Sequence, residues 1–392
     1  MPTTESNEPL TWLESGQLHH ARWQSASGST LPKTVFVADD TLSASVAYKL
    51  VCEGTAILWR GDFHQGRQMV QSLARRIDKA RDYKASKAKP KDIAPKEMYY
   101  GYRQTQAHRA RVLGLVVVEL AADYWLALRR APDMREACTQ AWGEPNGETC
   151  IVSLRELMGV VAAYEWRKNG VSVPALAGMG EGKVHPYYGV FAPIRGEYVE
   201  LVVKACQQRS APIDTAFDIG TGTGVLAAVL AKYGAKKIIG TEQDQNVINC
   251  ANDNITRLAV NDAVQIVEAD LFPKGLADII VCNPPWLPGK PSSKMEQAIF
   301  DADSKMLRGF LNGLRAHLAP KGEGWLIMSD LAEHLGLRAE GELLKLIEAA
   351  GLSVKGKLDA RPTHPKTQDE TDPLHIARSR EVTTLWRLVA AT

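Results

Sequence analysis

The chain has 392 residues, more than one average domain needs, so two domains are the natural division. Its 45% hydrophobic and 23% charged residues fit a soluble globular protein, and a net charge of +2 says little about partners. No apolar run approaches the roughly 18 residues of a membrane span, and the polar start MPTTESNEPLTW lacks the layout of a secretory signal. The six cysteines are scattered without a CxxC pair. That predicts reduced thiols in a cytoplasmic compartment, with neither a disulfide framework nor a metal site.

In chain order, residues 33–38 (KTVFVA) read as a strand, 42–51 as a helix, 55–60 as a second strand and 65–77 as a second helix. This small α/β layer has no phosphate-type glycine loop and suits a scaffold or substrate-presenting module. Residues 60–111 then carry 14 Lys or Arg against 5 Asp or Glu, a local excess of nine positive charges. A Lys/Pro-rich stretch, read as a loop, gives way to MYYGYRQTQAHRAR. Cations interleaved with tyrosines suit a phosphate backbone and stacked bases; the alternative is a solvated helix face. Val117 and Val118 fit a strand or a buried helix, and residues 153–164 an amphipathic helix with Ser153 as its N-cap. The Gly- and Pro-containing run 171–184 marks the boundary, giving domains 1–182 and 183–392.

Beyond residue 198 strands and helices alternate. Strands are predicted at 215–219, 237–241, 264–268, 278–282, 324–329, 354–358 and 382–388, with helices near 197–209, 224–233, 244–258, 299–318 and 338–350. The alternation predicts a mostly parallel sheet covered on both faces, closed by a terminal antiparallel hairpin. In such a sheet the ligand lies outside the carboxyl ends of the strands. The unusual residues fall there. Asp218 ends the first strand, and Gly220, Gly222 and Gly224 alternate in the turn after it, with Thr221 between them. The spacing is G-x-G-x-G, which argues against a pyrophosphate cofactor. Glu242 ends the second strand about 20 residues later, where a carboxylate accepts ribose hydroxyls. Asp270, followed by Leu271, ends the third and suits an exocyclic adenine amine.

Asp218 to Gly224, Glu242, Asp270 and the run Asn283-Pro284-Pro285-Trp286 resemble the class I S-adenosylmethionine-dependent methyltransferases. More narrowly they are similar to N-methyltransferases with an (N/D)PP(Y/F/W) signature. The resemblance implies a Rossmann-like seven-stranded sheet with helices on both faces, preceded by a smaller, helix-rich α/β domain. It implies S-adenosylmethionine held by Asp218, Gly220, Thr221, Gly222, Gly224, Glu242, Asp270, Leu271 and Asn283. It also implies catalysis by Asn283, Pro284, Pro285 and Trp286: the Asn283 side-chain oxygen and the Pro284 carbonyl accept both N–H bonds of a planar nitrogen, and Trp286 stacks on it. Arg195, Tyr188 and Phe191 are candidate substrate contacts. Arg195 and Glu197 match the lead-in of the release-factor glutamine methyltransferases, although Pro193 is displaced and Gly196 stands where that family has a second proline. His185 reads as structural, His364 and His375 as loop residues, and Asp301 and Asp303 as a helix start.

The expected activity is methylation of an exocyclic base amine in RNA, ribosomal RNA first. A glutamine side chain of a translation factor is second, and small-molecule methylation third. A non-catalytic RNA-binding module is the non-enzyme alternative. No membrane association is expected.

Overall fold

The computed structural model describes residues 9–87, 93–291, 295–363 and 367–391. It divides into two compact units, Met1–Ile93 with Tyr100–Glu165, and Ala94–Tyr99 with Trp166–Thr392. The second unit thus takes in Ala94–Tyr99 and residues 166–182, which lie ahead of the boundary read at residue 183. The reason is that β7 (Val171–Ser172) pairs with β8 (Lys183–Val184), while Leu176 and Val184 join the second unit's core.

The first unit opens with a hairpin that the sequence reading passed over, β1 (Leu10–Glu14) and β2 (Gln17–Gln24). Its two-residue turn, Ser15-Gly16, has positive φ at both positions (52° and 80°), the backbone that matches the twist of paired strands. Then follow β3 (Thr34–Ala38), α1 (Ala44–Cys52), β4 (Thr55–Trp59), α2 (Phe63–Lys87), α3 (Pro95–Gly114), β5 (Val116–Leu120), α4 (Arg135–Trp142), β6 (Cys150–Ser153) and α5 (Leu154–Asn169). The sheet order is β1-β2-β6-β5-β4-β3. Alternation along β4 and β5 sends Ile57, Trp59, Val116 and Val118 into a core with Leu73, Val112 and Leu157 from the helices. Ala56, Leu58 and Val117 join Leu10 and Trp12 of the hairpin on the other face. The tyrosine-interleaved stretch is helical, and Tyr99 is buried. Some of these cations are paired inside this unit. Arg60 pairs with Glu14 and Glu119, Arg109 with Asp78, and Arg81 with Asp78 and Asp82. Residues 88–92 of the Lys/Pro-rich stretch lie outside the described residues.

The second unit runs α6 (Glu197–Gln208), β9 (Thr215–Ile219), α7 (Val225–Lys232), β10 (Lys237–Glu242), α8 (Gln245–Arg257), β11 (Val264–Glu268), β12 (Ala277–Cys282), β13 (Leu287–Pro288), β14 (Phe300–Asp301) and α9 (Lys305–His317). It continues with β15 (Leu318–Ser329), α10 (Leu331–His334), α11 (Glu342–Ala349), β16 (Leu352–Ala360), α12 (His375–Arg380) and β17 (Thr383–Ala390). Seven strands in the order β11-β10-β9-β12-β15-β17-β16 form its sheet. The first five run parallel, and β17 is antiparallel to both its neighbours. The two faces are read off single strands. Ile279, Val281, Trp325 and Ile327 meet α6 and α7, whereas Ile280, Cys282, Leu326 and Met328 meet α9 and α11. Helix α9 starts later than expected because Asp303 and Ser304 take left-handed backbone (φ 56° and 53°). Asp301 then accepts the backbone N–H groups of Met306 and Leu307, 3.0 Å each, as the helix-start reading anticipated.

Glu323 of β15 is 1% exposed and sits among Arg387 and Lys355 (2.8 Å each), Arg209 (3.3 Å) and the Trp325 indole N–H (3.1 Å). Burial pushes its carboxyl up, but bonds from Arg387, Lys355 and Trp325 outweigh that and hold it at about 2. Glu323→Ala would leave three cations facing one another. In urea titrations at neutral pH it should cost about 3–5 kcal/mol. A depressed acid stabilises above its ordinary pKa of 4.5, so the gap between the two proteins should narrow as pH falls from there towards 2.

Candidate functional site

Strand order reverses at β9. The chain builds outwards through β10 and β11 and then returns to lay β12 on the other side of β9. At such a reversal the connections leave the sheet in opposite directions and open a crevice at the carboxyl ends. Register decides what meets there. Cys282 lies opposite Ile219, and Ile219 opposite Thr241. The residues that follow are Asn283, Gly220 and Glu242, which therefore leave three adjacent strands at one level.

The glycine turn is held from within. The N–H of Thr221 donates to the Thr241 carbonyl (3.0 Å) and that of Gly224 to the Thr221 carbonyl (2.9 Å). Asp218 Oδ2 accepts the Thr221 hydroxyl (2.7 Å) and the Ala227 N–H (3.0 Å). Asp218 is 1% exposed, and it and the buried Thr221 hydroxyl shape the turn from within. Burial pushes the Asp218 carboxyl up to about 6, against the pull of its two donors. Gly222 has φ 57° and open space where a Cβ would lie, so its backbone is approachable. Gly220 differs, since a Cβ there would stand 2.6 Å from Met306 Cε. Gly224 (φ 80°) turns the chain into α7.

Glu242 is half-buried. Burial raises its carboxyl, while the backbone N–H groups of Gln243 (2.9 Å) and Gly222 draw it back, tying the acid to the glycine turn. Asp270 is exposed and accepts Gln243 Nε2 at 2.5 Å, a bridge between the ends of β10 and β11. Leu271 has positive φ (68°), and its carbonyl accepts the Thr241 hydroxyl at 2.6 Å; its side chain lies against Gly309 of α9. Gln243 and Met306 were not foreseen. Neither carries a motif, and Met306 reaches the turn only because α9 packs over that end of the sheet.

After Cys282, whose thiol burial drives well above its usual range, Asn283 is half-exposed and Pro284 buried. The indole N–H of Trp286 donates to Asn283 Oδ1 (2.9 Å). Trp286 is packed partly into both hydrophobic clusters, and the Arg195 guanidinium lies 5.1 Å from its ring centroid. Arg195 is fixed by Glu197 (2.6 Å) and by Glu381 (3.1 Å), and buried Glu381 also accepts the Ser329 hydroxyl at 2.8 Å. Arg195, Glu381 and exposed Phe191 line a half-open cavity of about 260 Å³. The Tyr188 carbonyl accepts Asn246 Nδ2 at 3.1 Å, at the start of α8. His185 is buried, with Nδ1 2.6 Å from the Arg167 carbonyl, as a structural histidine would be. His375 opens α12, and His364 lies outside the described residues.

The family model of ribosomal protein L11 methyltransferase matches residues 198–284. The L11 methyltransferase of Alkaliphilus oremlandii is 44% identical over 71 residues, 18% of this chain and 23% of that protein. A putative protein N5-glutamine methyltransferase of Methanocaldococcus jannaschii is 30% identical over 146 residues, 35% of this chain and 70% of the relative. The chain thus spans about a quarter of the L11 methyltransferases that it matches and most of the archaeal protein. A solved structure of a putative RNA methyltransferase from Pyrococcus horikoshii is 18% identical, with a TM-score of 0.38 over 59% of this chain and 100% of that one.

Asp218 binds its proton more tightly folded than unfolded, so its contribution to stability falls as pH rises from about 4 to about 6. Urea midpoints measured from pH 4 to pH 8 should show that decline in the native chain and lose it in Asp218→Asn.

Proposed function

The chain belongs to the class I S-adenosylmethionine-dependent methyltransferases, and from that premise we propose that it methylates a planar nitrogen of a macromolecule, an exocyclic base amine of RNA. The observation that carries the nitrogen reading is the level of Asn283 beside Gly220 across the β9–β12 pair. The lone pair of an amide or aryl amine is delocalised, so the nitrogen attacks only when its N–H bonds are held and the lone pair is turned outwards. Asn283 Oδ1 and the Pro284 carbonyl are acceptors suited to that task. Pro284 and Pro285 bring no backbone donor to compete with them. The buried strand beneath, ending at Cys282, fixes where these acceptors stand relative to developing positive charge.

S-adenosylmethionine, when bound, supplies an electrophilic sulfonium methyl. The residues present fit it: Gly222 leaves room for backbone approach, and Glu242 is a half-buried carboxylate fit to accept ribose hydroxyls. An uncharged acceptor such as Asn283 suffices, because the nitrogen can release its proton after transfer.

The exposed side of α2, with Arg75, Arg76 and Lys79, supports RNA as the substrate class, with the first unit as the recognition module. A protein glutamine is the second reading, favoured by the 30% identity to the archaeal relative and by the Arg195–Glu197 pair. With radiolabelled methyl donor and a lysate from a strain lacking the gene, label should enter RNase-sensitive material. Protease-sensitive label would put the glutamine reading first. Asn283→Ala should lower transfer at saturating donor at least ~100-fold, in line with loss of an electrostatic stabiliser. Unchanged turnover would remove the nitrogen clamp. Glu242→Ala should weaken donor binding about 10- to 100-fold, the loss of charge-assisted hydrogen bonds of about 1.5–3 kcal/mol.

A further inference from the structure

Trp286 stands at the place where a stacking ring is expected, and it is half-buried. The ring is packed partly into both hydrophobic clusters, and the guanidinium of Arg195 lies 5.1 Å from its centroid. Arg195 is anchored in turn by Glu197 and by Glu381, which is 3% exposed and bonded to Ser329. What the ring does offer is its N–H, donated to Asn283 Oδ1 at 2.9 Å.

We propose that Trp286 is a positioning residue that sets the orientation of the Asn283 amide. An amide side chain has two nearly isosteric orientations, one with oxygen and one with NH₂ at a given point. An indole N–H is a donor only, so it accepts no bond from NH₂ and selects the orientation that turns oxygen towards it. That oxygen has two lone pairs. One takes the indole N–H, and the other remains for an N–H of the nitrogen to be methylated. In the flipped orientation NH₂ would face the substrate N–H, two donors opposed, and the lone pair would not be aligned. Phenylalanine keeps an aromatic ring but has no donor, so the selection depends on tryptophan. The anchoring by Arg195, Glu197 and Glu381 holds the indole while substrate enters and leaves.

This inference rests on the nitrogen-clamp reading, and two measurements on the full chain keep their failures apart. The first needs no substrate. In ¹⁵N-tryptophan-labelled protein, which has nine indole N–H signals, that of Trp286 is assigned by its loss in Trp286→Phe. Its exchange with water should be at least tenfold slower in the native chain than in Asn283→Ala; equal exchange in both overturns the contact. The second is a double-mutant cycle, with radiolabelled S-adenosylmethionine as donor and a lysate from a strain lacking the gene as acceptor. Trp286→Phe should reduce the rate at saturating donor at least tenfold while the KM for S-adenosylmethionine stays within twofold. In an Asn283→Asp background both side-chain atoms are oxygen and orientation is immaterial, so the same change should cost less than threefold. Equal losses in both backgrounds overturn the orienting role and leave Trp286 as a packing residue. Full activity of Asn283→Ala would instead remove the clamp itself.

Discussion

The pairing of β9 with β12 governs this unit, because it joins two strands far apart in sequence at the one place where strand order reverses. Both strands are buried on both faces, so a slip of one residue would exchange the side chains facing α6 and α7 for those facing α9. Packing therefore fixes the register. The register in turn fixes the separation between the glycine turn and the asparagine that follows β12. A site suspended from two locked strands inherits their rigidity, as catalytic positioning requires.

Around that axis the residues divide between building and contacting. Asp218 is buried and holds the turn together through the Thr221 hydroxyl and the Ala227 N–H. Glu242 spends two backbone donors on its own placement and stays half-buried at the strand end. On the other side, the Ser329 hydroxyl donates to Glu381, Glu381 pairs with Arg195, and the Arg195 guanidinium lies over the ring of Trp286. Segments distant in sequence thus hold the cation that meets this ring.

The first unit shows why a run of charge is a weak guide before the fold is known. Between residues 60 and 111, Arg81 and Arg109 pair with acids of that run, and Arg60 with acids from outside it. Glu14 and Glu119, which hold Arg60, lie 46 and 59 residues away. Among the described residues, Arg75, Arg76 and Lys79 of α2 and Lys96 and Arg111 of α3 present cations outwards.

The strands of the second unit, the glycine turn, Glu242 and the NPPW run were legible from the chain alone. Their signals are local: continuous apolar runs of strand length, glycines at alternate positions and a double proline after a buried strand. Local signals also placed β3, β4 and α1, but left Val117 and Val118 open between strand and helix until β5 paired with β4 and β6. The first hairpin was missed although Ser15-Gly16 marked its turn, because β2 (QLHHARWQ) is polar and becomes a strand only by pairing with β1 and β6. What only the tertiary structure decided was which partners the recognised residues find within the chain. Asp218 turned inwards, Arg195 was spent on Glu197 and Glu381, and Trp286 was bonded to Asn283. Those outcomes depend on long-range packing and on the pairing of buried charges and donors, and neither is written in the spacing of residues along the chain.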